Sequence, residues 1–169
     1  MIWYVLLIAA VAVERVAELV VSQRNLAWSR ARGGVEFGAG HYPAMVVLHT
    51  GLLAGCLVEV FALHRPFVWW LGWPMLAVVI AAQGLRWWCI ATLGRQWNTR
   101  VVVVPGAGRV TGGPYRFISH PNYVAVVAEG IALPLVHSAW LTAAVFTALN
   151  AALLVTRIST ENAALARLA

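Results

Sequence analysis

The stretch from Phe67 to Thr92, FVWWLGWPMLAVVIAAQGLRWWCIAT, holds a single charge, Arg86. It is longer than the roughly 20 apolar residues that cross a bilayer as a helix. On either side lie further apolar blocks, at 2–22, 43–63, 121–136 and 139–158. The fourth is short and closes at Pro134, so the last two blocks form a helical hairpin whose first arm barely spans. Composition agrees with this reading. Of 169 residues, 62% are hydrophobic and only 11% charged, against about 25% charged in a soluble domain. Mean hydropathy is +0.79. The solvent for most of this chain is lipid, and the expected fold is an all-α integral membrane bundle of about five transmembrane helices, one domain over residues 1–169.

All the basic charge is arginine and all the acidic charge glutamate. The net charge of +6 reads as membrane topology rather than a nucleic-acid surface, because the arginines flank apolar spans and no free basic domain exists. With the N-terminus outside, the inner side receives Arg24, Arg30, Arg32, Arg95, Arg100, Arg109, Arg116, Arg157 and Arg167, and the outer side only Arg65. That asymmetry fixes the orientation. Phe67, Trp69, Trp70 and Trp73 then form an outer interfacial belt. The first block carries Glu14, Arg15 and Glu18 where the apolar region of a signal peptide would continue, so it reads as a retained span. Gly51 and Gly55 form a GxxxG pair, read as a close helix contact within the bundle, with a dimer face as the alternative. Cys56 and Cys89 are packing residues without metal-ligand spacing, and the five histidines are scattered, so no metal site is expected.

The inner loops are long and polar, which places any chemistry there. Val101 to Val104, the turn Pro105-Gly106-Ala107-Gly108, and Arg109-Val110-Thr111 predict a small hairpin folded against the membrane face. Next comes Gly113-Pro114-Tyr115, and then Ser119-His120-Pro121-Asn122-Tyr123 before an apolar helix. Proline is favoured at the first helical position, so His120 is the N-cap, at a helix start suited to an anion. Arg157 and Glu161 stand one turn apart at the inner end of the last span and can pair, or can equally snorkel as interfacial charges. Charge inside a membrane is costly and is buried, paired or functional. Arg15 and Arg86 are expected in neutralising pairs between helices. Glu129, two turns after His120, is a candidate for the site wall. No phosphate-binding loop, dinucleotide fingerprint or serine elbow is present.

As an ordered set, Leu93-Gly94 with Trp97, Gly113-Pro114-Tyr115, His120-Pro121-Asn122-Tyr123, and Arg157 with Glu161 resemble the isoprenylcysteine carboxyl methyltransferase family over about residues 84–165. Ser119 stands where that family usually has arginine, with Arg116 one turn earlier as a substitute, and Asn162 replaces a second late acid. The N-terminal half is more similar to bacterial members encoded with lipid-polyketide synthases. The resemblance implies methyl transfer from S-adenosylmethionine to a lipophilic acceptor, at the cytoplasmic side of a bacterial inner membrane, beneath a covering loop or hairpin. It implies cofactor contacts from Trp97, Gly113, Tyr115, His120, Pro121, Tyr123, Arg157 and Glu161. Arg157 would meet the cofactor carboxylate and Glu161 its ammonium, and Arg157, Glu161 and Glu129 form the expected catalytic set. The acceptor would come sideways from the bilayer, an alkylpyrone or alkylresorcinol first and an isoprenylcysteine carboxylate second. A carboxylate needs no general base, whereas a phenol or enol would use Glu129, Glu161 or His120. The alternatives are an NADPH-dependent membrane sterol or enone reductase, a phospholipid N-methyltransferase, or a non-catalytic membrane accessory protein.

Overall fold

A computed structural model describes residues 1–168. Helix α1 (Ile2–Arg30) leads to a short strand β1 (Val35–Phe37), then to α2 (His41–Ala62) and α3 (Trp69–Leu93). Strand β2 (Val101–Val103), α4 (Pro121–Leu135) and α5 (Trp140–Leu168) complete the chain. The helices are all-α apart from the β1–β2 pair, and their starts fall close to the apolar blocks of the sequence. Pro121 opens α4 behind the non-helical His120. Gly94, with φ of 52°, ends α3 in a conformation that a side chain would resist.

Helices α2, α3 with its short extension to Gln96, and α5 are long and apolar enough to cross a membrane. The chain is an integral membrane protein. Helix α1 is as long, but Glu14, Arg15, Glu18 and Arg24 lower its hydropathy. Helix α4 has 15 residues and so spans only about 22 Å at 1.5 Å per residue, short of the roughly 30 Å hydrocarbon core. Its far end is sealed inside the protein instead. The Tyr4 hydroxyl donates to the Leu133 carbonyl at 3.0 Å, and His137 lies buried against the rings of Trp3, Tyr4 and Phe67.

Helices α1 and α5 have 29 residues each, about 43 Å, and overrun the bilayer by roughly two turns. Both overrun on the same side. There Asn25 of α1 donates to the carbonyls of Gly94 (3.1 Å) and Trp97 (2.7 Å), and Arg157 of α5 donates to the Thr99 carbonyl (2.9 Å). The start of α5, at the other end, is capped from α2. Glu59 accepts from the amides of Leu141 (3.1 Å) and Thr142 (2.7 Å) and from the Thr142 hydroxyl (2.8 Å), while Arg65 pairs with it at 2.9 Å. A carboxylate here satisfies free helix N–H groups and complements the helix dipole.

Packing divides the bundle into two halves. Tyr4, Ile8 and Val11 of α1, Leu52, Cys56 and Val60 of α2, Val79 of α3, Leu133 and Val136 near the end of α4, and Phe146 of α5 form one solid apolar core. The half beyond it is hollow. Between them lies a layer of buried charge from α1, α3 and α4. Arg15 meets Glu18 at 2.8 Å and Glu129 at 3.6 Å, and Arg86 meets Glu129 and lies 3.5 Å from Glu18. Arg15 and Arg86 therefore sit in interhelical pairs, as their cost in lipid demands.

Two expectations require correction. Strand β2 does not fold back on Arg109-Val110-Thr111. It pairs antiparallel with β1, in the register Val35↔Val103, Glu36↔Val102 and Phe37↔Val101. The reason is lateral support: Glu36 binds Arg100 at 2.7 Å and Arg30 at 3.6 Å, locks that register, and the 109–113 segment offers no comparable partner. In the GxxxG pair, a Cβ on Gly55 would stand 3.0 Å from Thr142 of α5, whereas Gly51 faces open space. Only Gly55 marks a close contact within the bundle.

Candidate cofactor and acceptor site

The hollow half encloses a cavity of about 490 Å3, within the roughly 300–1,000 Å3 usual for small-molecule sites. One end is polar and built by α4, α5 and the loop between α3 and β2. The loop is tied to α1: Ser22 donates to Asn98 (2.8 Å), lies 2.8 Å from the Thr99 hydroxyl, and accepts from the Thr99 amide (3.0 Å). This anchoring fixes the Thr99 carbonyl that receives Arg157. Arg157 also reaches the Met45 sulfur at 2.8 Å, and its guanidinium lies 5.8 Å from the Tyr123 ring centroid.

Glu161 does not pair with Arg157. It accepts from the Tyr123 hydroxyl at 2.5 Å and faces Nδ1 of His120 at 3.6 Å. The other His120 nitrogen, Nε2, meets Asn162 at 3.2 Å, and the His120 and Tyr123 rings lie 5.5 Å apart. Asn162 thus takes up a ring nitrogen of His120 with a neutral acceptor. Hydrogen bonding to Glu161 raises the His120 pKa above its ordinary value, against the opposing effect of burial. Burial raises the Tyr115 phenol.

Trp97, Tyr115, His120, Tyr123, Arg157 and Glu161 line the cavity together. Three other residues expected at the site stand elsewhere. Pro121 is buried at the start of α4. Gly113, with φ of 53°, packs where a Cβ would strike the Thr92 side chain, so its role is to let the Tyr115 turn approach α3. Glu129 stands behind Arg86 and outside the cavity lining. Arg116 is exposed and away from the lining, whereas Arg109 contributes to it.

The other end of the cavity rests on the charge layer. Arg15, Glu18 and Arg86 line it, with His49 of α2 and Asn150 of α5. Neither His49 nor Asn150 belongs to a sequence motif. The signal that finds them is a polar residue in an otherwise apolar span. Val16 and Leu19 of α1 and Val46 of α2 line the cavity and are also exposed on the outer face of the bundle. The wall formed by α1 and α2 is therefore apolar and faces lipid on its far side.

Several buried polar atoms around the cavity have no hydrogen-bond partner: Nε of Arg157, Nε1 of Trp97, the side-chain oxygens of Asn122 and Asn150, and, in the charge layer, Nε of Arg15 and Arg86 and Oε1 of Glu18. Buried polar atoms are normally satisfied, so this lining is built for a ligand with acceptors and donors of its own. Among the described residues, no group of three His, Cys, Asp or Glu is placed to hold a metal ion.

Apolar spans enclosing a cavity with charged groups at both ends and one lipid-facing side define a polytopic membrane protein built around an internal small-molecule site. The chain belongs to the isoprenylcysteine carboxyl methyltransferase (ICMT) family, a family of membrane methyltransferases, whose model matches residues 75–167. That segment runs from α3 to the end of α5, so the polar end of the cavity lies within it and α1, β1 and α2 lie outside. An uncharacterized protein of Bacillus subtilis (strain 168), YpbQ, is 39% identical over 166 residues, covering 98% of this chain and 96% of the relative. No solved structure matches the chain.

Proposed function

We propose that this chain is an S-adenosylmethionine-dependent O-methyltransferase acting on a lipid-tailed acceptor, a polyketide hydroxyl of the alkylpyrone or alkylresorcinol type before an isoprenylcysteine carboxylate. The observation that carries the reading is one cavity with two unlike ends. An Arg157–Glu161–His120–Tyr123 cluster with the unpaired polar atoms of Arg157, Trp97 and Asn122 lies at one end, and an apolar, lipid-facing wall of α1 and α2 flanks the other.

When bound, S-adenosylmethionine supplies a methyl group on a positively charged sulfur. Its amino-acid part carries a carboxylate and an ammonium, which Arg157 and Glu161 match in charge. Tyr123, His120 and Trp97 offer flat faces and the free Trp97 N–H to its nucleoside. Arg157 is only 7% exposed, so a carboxylate on its unpaired Nε would be held away from water, where charge-assisted hydrogen bonds are strong. The sulfur loses its positive charge as the methyl group leaves it, so apolar surroundings at that atom favour the transfer. Holding donor and acceptor in one enclosed space contributes alignment. With the arginine asymmetry of the loops, this end faces the cytoplasm of a bacterial inner membrane.

The test is calorimetric titration of detergent-purified protein with S-adenosylhomocysteine and, separately, NADPH, repeated on His120→Ala and Arg157→Ala. Micromolar binding of S-adenosylhomocysteine alone, about tenfold weaker in both variants, is the expected result and corresponds to roughly 1.4 kcal/mol per change. NADPH binding alone would replace the reading with a reductase. Binding of neither by folded protein would leave a non-catalytic role.

A further inference from the structure

We propose that His49 is the general base of this site, and that the acceptor is accordingly a weakly acidic hydroxyl, a phenol or enol, rather than a carboxylate. This rests on the methyltransferase reading above and deepens it.

The first ground is elimination among bases. Glu129 is held by Arg86, Arg15 and Gln83 and does not line the cavity. Glu161 is occupied by Tyr123 and His120, and His120 by Glu161 and Asn162. Glu18 lines the cavity too, but Arg15 and Arg86 hold it at 2.8 and 3.5 Å. Each of these groups is already engaged by a charged or hydrogen-bonding neighbour, whereas His49 keeps one ring nitrogen unpartnered.

The second ground is its geometry. Nδ1 of His49 lies 2.9 Å from the carbonyl oxygen of Met45, one turn earlier on α2. A carbonyl only accepts, so Nδ1 carries the hydrogen and the neutral ring has its lone pair on Nε2. Among the described residues, Nε2 has no hydrogen-bond partner. The Phe146 ring packs edge-on against the imidazole, centroids 5.4 Å apart, and fixes its plane. A base oriented by one hydrogen bond with its other nitrogen free in a cavity is the arrangement general-base catalysis needs.

The third ground is position. Met45 touches both halves of the site: its carbonyl orients His49, and its sulfur lies 2.8 Å from Arg157. His49 is therefore one helical turn from Met45, which touches the arginine proposed to receive the cofactor carboxylate. It also stands on α2, whose Val46 forms the lipid-facing wall. An acceptor sliding in between α1 and α2 would bring its polar head to His49 with its tail still in lipid. The buried Asn150 side chain, whose oxygen lacks a partner, faces the same space and supplies a second polar contact for a hydroxylated ring.

The step balances. The acceptor oxygen uses a lone pair to form the O–CH3 bond, its proton passes to Nε2 of His49, and the C–S bond breaks with its electron pair returning to sulfur. The products are a methyl ether, a neutral thioether and an imidazolium that later loses its proton to water. A carboxylate is already ionised near neutral pH and would gain nothing from His49. A phenolic hydroxyl, with a pKa of about 10, would.

The experiment compares wild type with His49→Asn, whose amide can still donate to the Met45 carbonyl but is no base. Full-length protein in lipid nanodiscs is assayed with S-adenosylmethionine on a 5-alkylresorcinol and on a nitro-substituted analogue with the same tail, ionised at the assay pH. Turnover of the alkylresorcinol should fall about 10²–10⁴-fold, and that of the ionised analogue by about tenfold or less, with S-adenosylhomocysteine binding retained. Equal losses on both acceptors, or no loss on either, would overturn the assignment. If His49→Asn fails to bind S-adenosylhomocysteine, His49→Gln decides by the same comparison. Wild type that binds S-adenosylhomocysteine and methylates neither acceptor would sink the hydroxyl reading and this base with it. Wild type that does not bind it at all would sink the methyltransferase reading itself.

Discussion

Replacing Arg86 by methionine tests whether the charge layer is the structural floor of the site. Arg86 is 4% exposed. It contacts Glu129 directly and lies 3.5 Å from Glu18, while Arg15 lies 2.8 Å from Glu18 and 3.6 Å from Glu129. Within the layer the two arginines face two buried glutamates, with Glu14 at its edge 3.6 Å from Arg15. Arg86→Met leaves Glu18 and Glu129 sharing one guanidinium that Glu14 also approaches, and breaking a buried pair in this way costs about 3–5 kcal/mol. Glu129→Gln alone leaves the opposite excess and should also destabilise. The double variant Arg86→Met/Glu129→Gln restores the balance around the surviving Arg15–Glu18 pair and should recover about 1–3 kcal/mol of the combined loss as coupling energy. The assay is unfolding in detergent micelles followed by tryptophan fluorescence, read as a double-mutant cycle. Arg86→Met within about 1 kcal/mol of wild type, or two changes that simply add, would refute the reasoning. The same variants bear on Glu129 as an expected catalytic group. As a floor residue it should lose stability and activity together, and the double variant should regain both.

Three further outcomes follow from the packing. Glu59→Ala should cost about 1–2 kcal/mol by uncapping α5, with hydrogen exchange at the Leu141 and Thr142 amides rising, whereas Glu59→Gln should keep part of the cap because its amide oxygen still accepts. Gly130→Ala should destabilise by about 1–3 kcal/mol, since its Cβ would meet the Phe146 ring, and trimming Phe146 to leucine in the same chain should recover part of that loss in thermal melts. The Glu161 hydrogen bond raises the folded-state pKa of His120, so its contribution is full below the unfolded value of about 6.5 and is lost as pH climbs through the raised one. The melting-temperature gap between wild type and His120→Gln should therefore be widest in mild acid and close as pH rises.

Much of the fold was legible because lipid imposes a coarse rule that composition obeys: each apolar block became a helix within a few residues of its expected start. The far ends of α1 and α5 were less legible for a physical reason. Hydropathy marks where hydrocarbon ends, not where backbone hydrogen bonding ends, and the segments after Val21 and Ile158 continue as helix on polar residues. The β1–β2 pair joins segments far apart in sequence, and its specifying contact, Glu36 with Arg100, has no local signature. At the site, spacing placed Arg157 and Glu161 on one helix face correctly. It had no means of showing that Tyr123 and His120 of α4 would reach the carboxylate first. The position of Glu129 likewise depended on which neighbour carried the opposite charge, and Arg86 is supplied by another helix.

The two halves of the chain bring different contributions to one cavity. The polar cluster comes from α4, α5 and the α3–β2 loop, all inside the segment the family model matches. The lipid-facing wall and His49 come from α1 and α2, outside it. A cofactor common to a family requires one fixed set of charges, whereas acceptors differ in shape and acidity. On the function proposed here, variation in the N-terminal helices would alter the acceptor end while leaving Arg157, Glu161, His120 and Tyr123 in place. Met45 limits that freedom, because it holds Arg157 by its sulfur and His49 by its carbonyl. Met45→Leu keeps the carbonyl and loses only the sulfur contact. It should therefore weaken S-adenosylhomocysteine binding in calorimetry by up to about tenfold, roughly 1.4 kcal/mol, while leaving the preference between ionised and un-ionised acceptors unchanged. A change in that preference would mean that Met45 acts on His49 through its side chain, and the two ends of the cavity would not be separable.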